Sequence, residues 1–189
     1  MKMEVNKTIK EDLANLTKIS DVNNVVRVEF DDLVISTLTE EYIPETTELW
    51  ANHATIQQIF APDRYNFKFE NKNWRDFVRG KLNKKHNLLL IATTKDSPEV
   101  KGFLYLQSVT IPSSDLILKG VIEDLYTKPQ HRRKGIAMKL LEVAIKFAEE
   151  NKIRSVEFVS MTNSKSVSDL HRKFISTTNY DVDFELVNF

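Results

Sequence analysis

The chain has 189 residues, no cysteine, four glycines, five prolines, and 27 basic against 27 acidic side chains, so its formal charge is zero. That length fits one domain with its own core, and the missing cysteines exclude disulfide scaffolds, thiol nucleophiles and thiolate zinc sites. The charge balance excludes a general attraction to nucleic acid or anionic membrane, and no apolar run approaches the roughly 20 residues of a membrane span.

The opening MKMEVNKTIKEDLANL has no apolar core of a signal peptide, so a cytoplasmic protein without nucleic-acid or membrane partners is expected. Within it, Thr8-Ile-Lys-Glu11 reads as a capping box, and Ile9, Leu13, Leu16 and Ile19 recur at helical spacing. Residues 1–30 are therefore expected to form an N-terminal extension that opens with a short amphipathic helix. Val25 to Phe30 and Leu33 to Leu38 are β-rich runs around Asp31-Asp32 and predict a hairpin. Pro44 suits a helix start, and the helix is expected to run to about His53. Phe60, Tyr65, Phe67, Phe69, Trp74 and Phe77 crowd the next stretch, either lining a pocket or packing a helix-loop-helix onto a sheet, with Trp74 to Leu82 helical. Leu88 to Thr93, Val100 to Thr110 and Leu118 to Tyr126 predict an antiparallel meander joined by KDSPE and IPSSD. Beyond Tyr126 the period becomes helical: Ala137, Leu140, Leu141, Ala144, Phe147 and Ala148 make an apolar face, and Lys139, Glu142, Lys146 and Glu149 a polar stripe. Ile153 to Ser160 reads as a strand, Ser164 to Ile175 as a short helix and Phe184 to Phe189 as a last strand. The expected fold class is α/β (α+β): residues 31–189 form one domain with a mixed, mostly antiparallel central sheet flanked by helices.

The most informative stretch is VIEDLYTKPQHRRKGIAMKLLEVAIKFAEE, residues 121–150, a strand, a short polar connector and a helix. Lys128, Arg132, Arg133 and Lys134 gather cations immediately before the helix begins. A helix N-terminus leaves N–H groups unpaired and carries partial positive charge, so this connector is suited to phosphate. Gly135 lets the backbone approach a ligand that a Cβ would obstruct. No Gly-Lys-Ser/Thr follows, which excludes a Walker loop, and the further glycines of a dinucleotide fingerprint are absent.

Arg132-x-x-Gly135-x-Ala137 matches the R/Q-x-x-G-x-G/A signature of the GNAT superfamily of acyl-CoA-dependent N-acetyltransferases. Residues 123–137 resemble the central strand and pyrophosphate loop of that fold, and the order of elements from about Leu33 onward is similar too. The resemblance implies a cofactor, acetyl-CoA. The backbone of Arg132, Arg133, Lys134, Gly135, Ile136 and Ala137 would hold its pyrophosphate, and Leu125, Tyr126 and Thr127 would run beside the pantetheine arm, with backbone groups of Leu125 and Thr127 pairing to it. Asn163 would stand on the arm's other side. A bulge in the central strand and a splay beside it would open the slot.

Acetyl transfer to an amine needs a proton acceptor for the amine and a proton for the departing thiolate. Glu123, nine residues before Arg132, is the candidate base, because the polyamine N-acetyltransferases that this stretch resembles carry a glutamate there. The alternative for Glu123 is an exposed strand carboxylate in an ion pair. In a regular strand Asp124 would point to the opposite face. His171 stands where many members carry a tyrosine that protonates the thiolate, a place where some aminoglycoside 6′-acetyltransferases look similar. It would act as the acid or as a spacer that hydrogen-bonds the sulfur, with Tyr180 and Tyr126 as alternative acids. His53, His86 and His131 have no acidic or histidine partner at ligand spacing, so they read as surface or core residues and no metal is expected.

Glu40, Glu41, Glu45 and Glu48, with Asp181, Asp183 and Glu185, suit a cationic acceptor, since the first helices and the last hairpin border the acceptor side in this family. Glu45 and Glu48 would equally stabilise a helix N-terminus. The expected activity is transfer of acetyl from acetyl-CoA to a primary amine of a small cationic molecule or peptide in a ternary complex. The alternative is a non-catalytic acyl-CoA-binding module. Relatives of this kind are commonly homodimers.

Overall fold

The computed structural model describes residues 25–60, 70–82, 84–112, 117–160 and 165–186. The expected N-terminal helix, Tyr65, Phe67, Phe69 and Asn163 lie outside the described residues.

Among the described residues seven strands form one sheet in sequence order: β1 (Arg27–Phe30), β2 (Leu33–Thr37), β3 (Asn87–Thr94), β4 (Ser97–Ile111), β5 (Ile117–Thr127), β6 (Ser155–Ser160) and β7 (Val182–Leu186). Neighbours are antiparallel from β1 to β5 and parallel from β5 to β7. The helices are α1 (Ile43–Phe60), α2 (Asn71–Lys81), α3 (Ile136–Glu150) and α4 (Lys165–Ile175). None of them is long and apolar enough to cross a membrane.

The β1–β2 hairpin turns on Asp31-Asp32 without a glycine because Asp31 takes φ 47°, a left-handed conformation that aspartate tolerates. Along β3, β4 and β5 the side chains alternate between two cores, as strand geometry requires. Leu88, Leu90, Leu104, Leu106 and Ile122 face α3, where Leu140, Leu141, Ala144 and Phe147 are buried together with Phe174 of α4. Leu89, Ile91, Phe103, Tyr105 and Tyr126 face the other way, onto Ile43 and Leu49 of α1 and Trp74 and Val78 of α2.

Several features differ from expectation. α1 runs on past His53 to Phe60, because no glycine or proline interrupts the chain before Pro62. β4 begins at Ser97, so only Lys95-Asp96 makes the turn of the KDSPE segment. The last hairpin is also replaced: β6 and β7 are parallel, Val156 opposite Val182, and α4 crosses between them.

Gly102 on β4 sits where the two central strands meet the start of α3. A Cβ there would lie 2.6 Å from the Tyr126 carbonyl oxygen, 3.3 Å from Thr127 Oγ1 and 3.4 Å from Ile136 Cγ2. The first is a backbone atom that cannot swing aside. Gly102→Ala is expected to destabilise the fold by at least about 2 kcal/mol, lowering Tm by roughly 4–8 °C in thermal unfolding; a Tm within a degree of the parent would contradict this packing.

Candidate active site

β5 is the strand on which the site is built. Tyr105 of β4 pairs with Asp124 and Leu106 with Ile122, so Glu123 is an extra residue, a bulge in the middle of the strand. On its other side β5 is paired with β6 only from Lys119–Ser155 to Ile122–Phe158, whereas β6 continues with β7 as far as Ser160 opposite Leu186. The two parallel strands therefore part at the bulge.

Beyond that point one edge of β5 has no strand partner among the described residues. The Lys128 N–H donates to Lys101 O at 2.9 Å. Backbone groups alternate in direction along an antiparallel pair, so those of Tyr126 face β4, while those of Leu125 and Thr127 face away from it, toward the gap left by β6. The Thr127 carbonyl there accepts a bond from Arg132 Nε at 3.0 Å. Thr127 Oγ1 is buried with no hydrogen-bond partner among the described residues.

The connector from β5 to α3 starts with a short 3-10 turn, Pro129–His131. Its four basic residues divide into two groups. Lys128 is held by Glu45 at 3.0 Å and Glu99 at 2.9 Å, and Glu45 also accepts the Val100 N–H. Arg132 is bonded to the Thr127 carbonyl and lies over the Tyr126 ring at 5.7 Å. Arg133 and Lys134 are exposed and pair with no carboxylate among the described residues. Arg133 and Gly135 take φ 65° and 82°, and left-handed residues alternating with ordinary ones turn successive amides toward one side. Gly135 caps α3 with no side chain, which leaves the first-turn N–H groups of Ile136 and Ala137 without an intrahelical partner.

Glu123 is exposed at the bulge, and Asp124 points to the α1 face. Asp124 Oδ2 accepts from Trp50 Nε1 at 3.2 Å, and Oδ1 lies 3.4 Å from His53 Nε2. His53 packs on Tyr126 and, edge-on, on Phe103, with ring centroids 5.4 and 6.3 Å apart. Asp124 also lines a small cavity with Thr46, Trp74, Phe77 and Tyr105. Burial, and then the charges of Glu123 and Asp124, push the Tyr105 hydroxyl well above its ordinary pKa. Reading His53 as having no acidic partner is thereby corrected. Trp50 and Asp124 stand 74 positions apart, so no local spacing signals the cluster.

The remaining candidates are distributed as follows. His171 is half-buried on α4, and burial lowers its pKa, which reduces its protonated fraction near neutral pH. Tyr180 donates its hydroxyl to the Ile153 carbonyl, so it ties the connection between α3 and β6 to the chain before β7. Glu40 pairs with Arg79 and Glu45 with Lys128, and Glu48 is exposed.

The Lys128 bridge clamps the first turn of α1 to the connector. The hydrogen bond from Lys128, its charge, and then Lys101 and His131 pull the Glu99 pKa from 4.5 down to about 2. That contribution to stability is present above the ordinary carboxylate value and is lost as pH falls toward 2. Lys128→Met is expected to destabilise by about 1–2 kcal/mol at neutral pH. Denaturant midpoints of parent and variant should converge as pH is lowered below 4.5; a gap that stays constant with pH would contradict the bridge.

The sequence profile of the Acetyltransferase (GNAT) family matches residues 53–174. No curated protein sequence matches the chain. Among solved structures, a probable acetyltransferase superposes with a TM-score of 0.61 at 18% identity, covering 82% of this chain and 94% of its own. An aminoglycoside acetyltransferase from an uncultured soil metagenomic sample, in complex with trehalose, gives 0.60 at 20% identity, covering 85% and 97%. A predicted acetyltransferase with acetyl-CoA from Clostridium acetobutylicum gives 0.58 at 18% identity, covering 83% and 95%. With the bulged and parted strand, the connector and the profile match across well over half its length, the chain belongs to the GNAT acetyltransferase family.

Proposed function

We propose that this protein transfers an acetyl group from acetyl-CoA to a primary amine of a small cationic molecule or peptide, directly, with both substrates bound at once. The observation that carries the reading is the parting of β5 from β6 at Ile122–Phe158 beside the bulge at Glu123. It leaves strand edge without strand partner next to a carboxylate.

The residues present fit the cofactor. The open backbone groups of Leu125 and Thr127, beside Tyr126, match an amide-bearing arm laid along the edge as an added strand. The amides of residues 133–137, with the exposed charges of Arg133 and Lys134, suit the pyrophosphate, whereas the Arg132 N–H is already bonded to the Pro129 carbonyl. Arg132 is set to orient Tyr126 and Thr127. Bound acetyl-CoA supplies the activated acetyl carbon. Glu123 at the bulge receives a proton from the amine, and His171 on α4 donates one to the sulfur or hydrogen-bonds it. Asn163 is assigned to the same slot from its place in the sequence.

An ammonium acceptor is supported by the carboxylates of Glu123, Asp124 and Glu48 on this side of the sheet and by the aminoglycoside acetyltransferase, also solved with sisomicin, that shares the fold. Glu123→Gln is expected to lower kcat by about 10²- to 10³-fold in a thiol-release assay with cationic amines. The acetyl-CoA-induced rise in Tm should remain unchanged. Full turnover in the variant would remove Glu123 from the chemistry, and a Tm shift with acetyl-CoA but no turnover of the parent on any amine would overturn the enzymatic reading in favour of an acyl-CoA-binding module.

A further inference from the structure

The bulge turns Asp124, the residue after Glu123, toward His53 of α1. An acceptor that enters as an ammonium sheds two protons on becoming an amide. One leaves before the N–C bond can form, because only the free amine has a lone pair, and one leaves after it has formed. The C–S bond breaks, the thiolate takes up one proton, and the other goes to solvent. Two acceptors on the amine side therefore match the balance better than one.

His53 has the properties of the second acceptor. Its Nε2 lies 3.4 Å from the Asp124 carboxylate, an ion-pair contact, and a proton held on that nitrogen leaves the lone pair of the neutral ring on Nδ1. Among the described residues nothing hydrogen-bonds Nδ1, and the side chain retains 17% of its exposure. Asp124 is held from the opposite oxygen by Trp50, which fixes the carboxylate that orients the ring. Asp124 is the residue after Glu123, and His53 stacks on Tyr126, between Leu125 and Thr127 of the open edge. The ionisable groups beside it are Asp124 and Tyr126 on β5, with Arg132 over the Tyr126 ring and Tyr105 of β4 within the field of Glu123 and Asp124. None of these needs the proton that His53 would receive.

We propose that His53, held by Asp124, takes the first proton from the entering ammonium, and that Glu123 takes the second. This rests on the acetyl-transfer reading and names one more catalytic residue, His53, and one positioning residue, Asp124. An amine of pKa about 10.4 gains about tenfold in free base per pH unit below that value, so a protein lacking the first acceptor should be rescued by alkali.

The test compares kcat/KM of the parent, His53→Gln, Asp124→Asn and Glu123→Gln for one cationic alkylamine from pH 6.5 to 9.5, with thermal unfolding as a check on folding. His53→Gln is expected to lose about 10²-fold near pH 7 and to recover about tenfold per pH unit, while the Glu123→Gln deficit stays flat. Asp124→Asn should show the same pH-dependent deficit to a smaller degree, and ¹⁵N shifts should place the proton of the neutral imidazole on Nε2 in the parent and divide it between the two tautomers in this variant. If His53→Gln does not fold, Asp124→Asn carries the same readout. A flat deficit, or none, in a folded variant overturns the role of His53 and leaves acetyl transfer standing; no turnover by the parent on any amine overturns both.

Discussion

One strand cannot keep both of its neighbours, and the site follows from how that is resolved. β5 holds β4 along its whole length by absorbing one extra residue at Glu123, and it gives up β6 after Ile122. Backbone N–H and C=O groups left without partners carry a strong demand for hydrogen bonds. At Leu125 and Thr127 that demand is met within the described residues only by the Arg132 side chain on one carbonyl. A strand edge in this state is a recognition surface, and the bulge that creates it also turns a carboxylate out beside it.

The helix α1 connects the two halves of this arrangement. Its first turn reaches the connector through Glu45 and Lys128, and its second and third turns reach the bulge through Trp50 and His53. Buried Thr46 and Thr47 are tolerated because their hydroxyls bond the carbonyls of Tyr42 and Ile43 one turn earlier. A displacement of α1 would thus be felt at the connector and at the amine side together. Gly102 serves the same geometry from β4 by letting the strand lie against the Tyr126 carbonyl.

Much of the fold is legible in the residues themselves. Alternation in β3, β4 and β5 and the helical period after Gly135 follow from which faces are buried, and the connector is recognisable from its charges and its glycine. What is not legible depends on contacts between distant segments. Lys128 reads as one of four equivalent cations until Glu45 and Glu99 are seen around it. His53 reads as a lone histidine until the bulge turns Asp124 toward it. The parallel pairing of β6 with β7 has no local signal, since α4 is short enough to serve a hairpin-like return or a crossover.

The most direct measurement is a crystal structure of the protein with acetyl-CoA. The pantetheine arm is expected to be hydrogen-bonded to the backbone of Leu125 and Thr127 in the gap between β5 and β6, with the pyrophosphate on the amides of residues 133–137 and the thioester next to Glu123, and this placement is the test. A cofactor bound elsewhere, or a gap closed by continued β5–β6 pairing beyond Ile122, would contradict it.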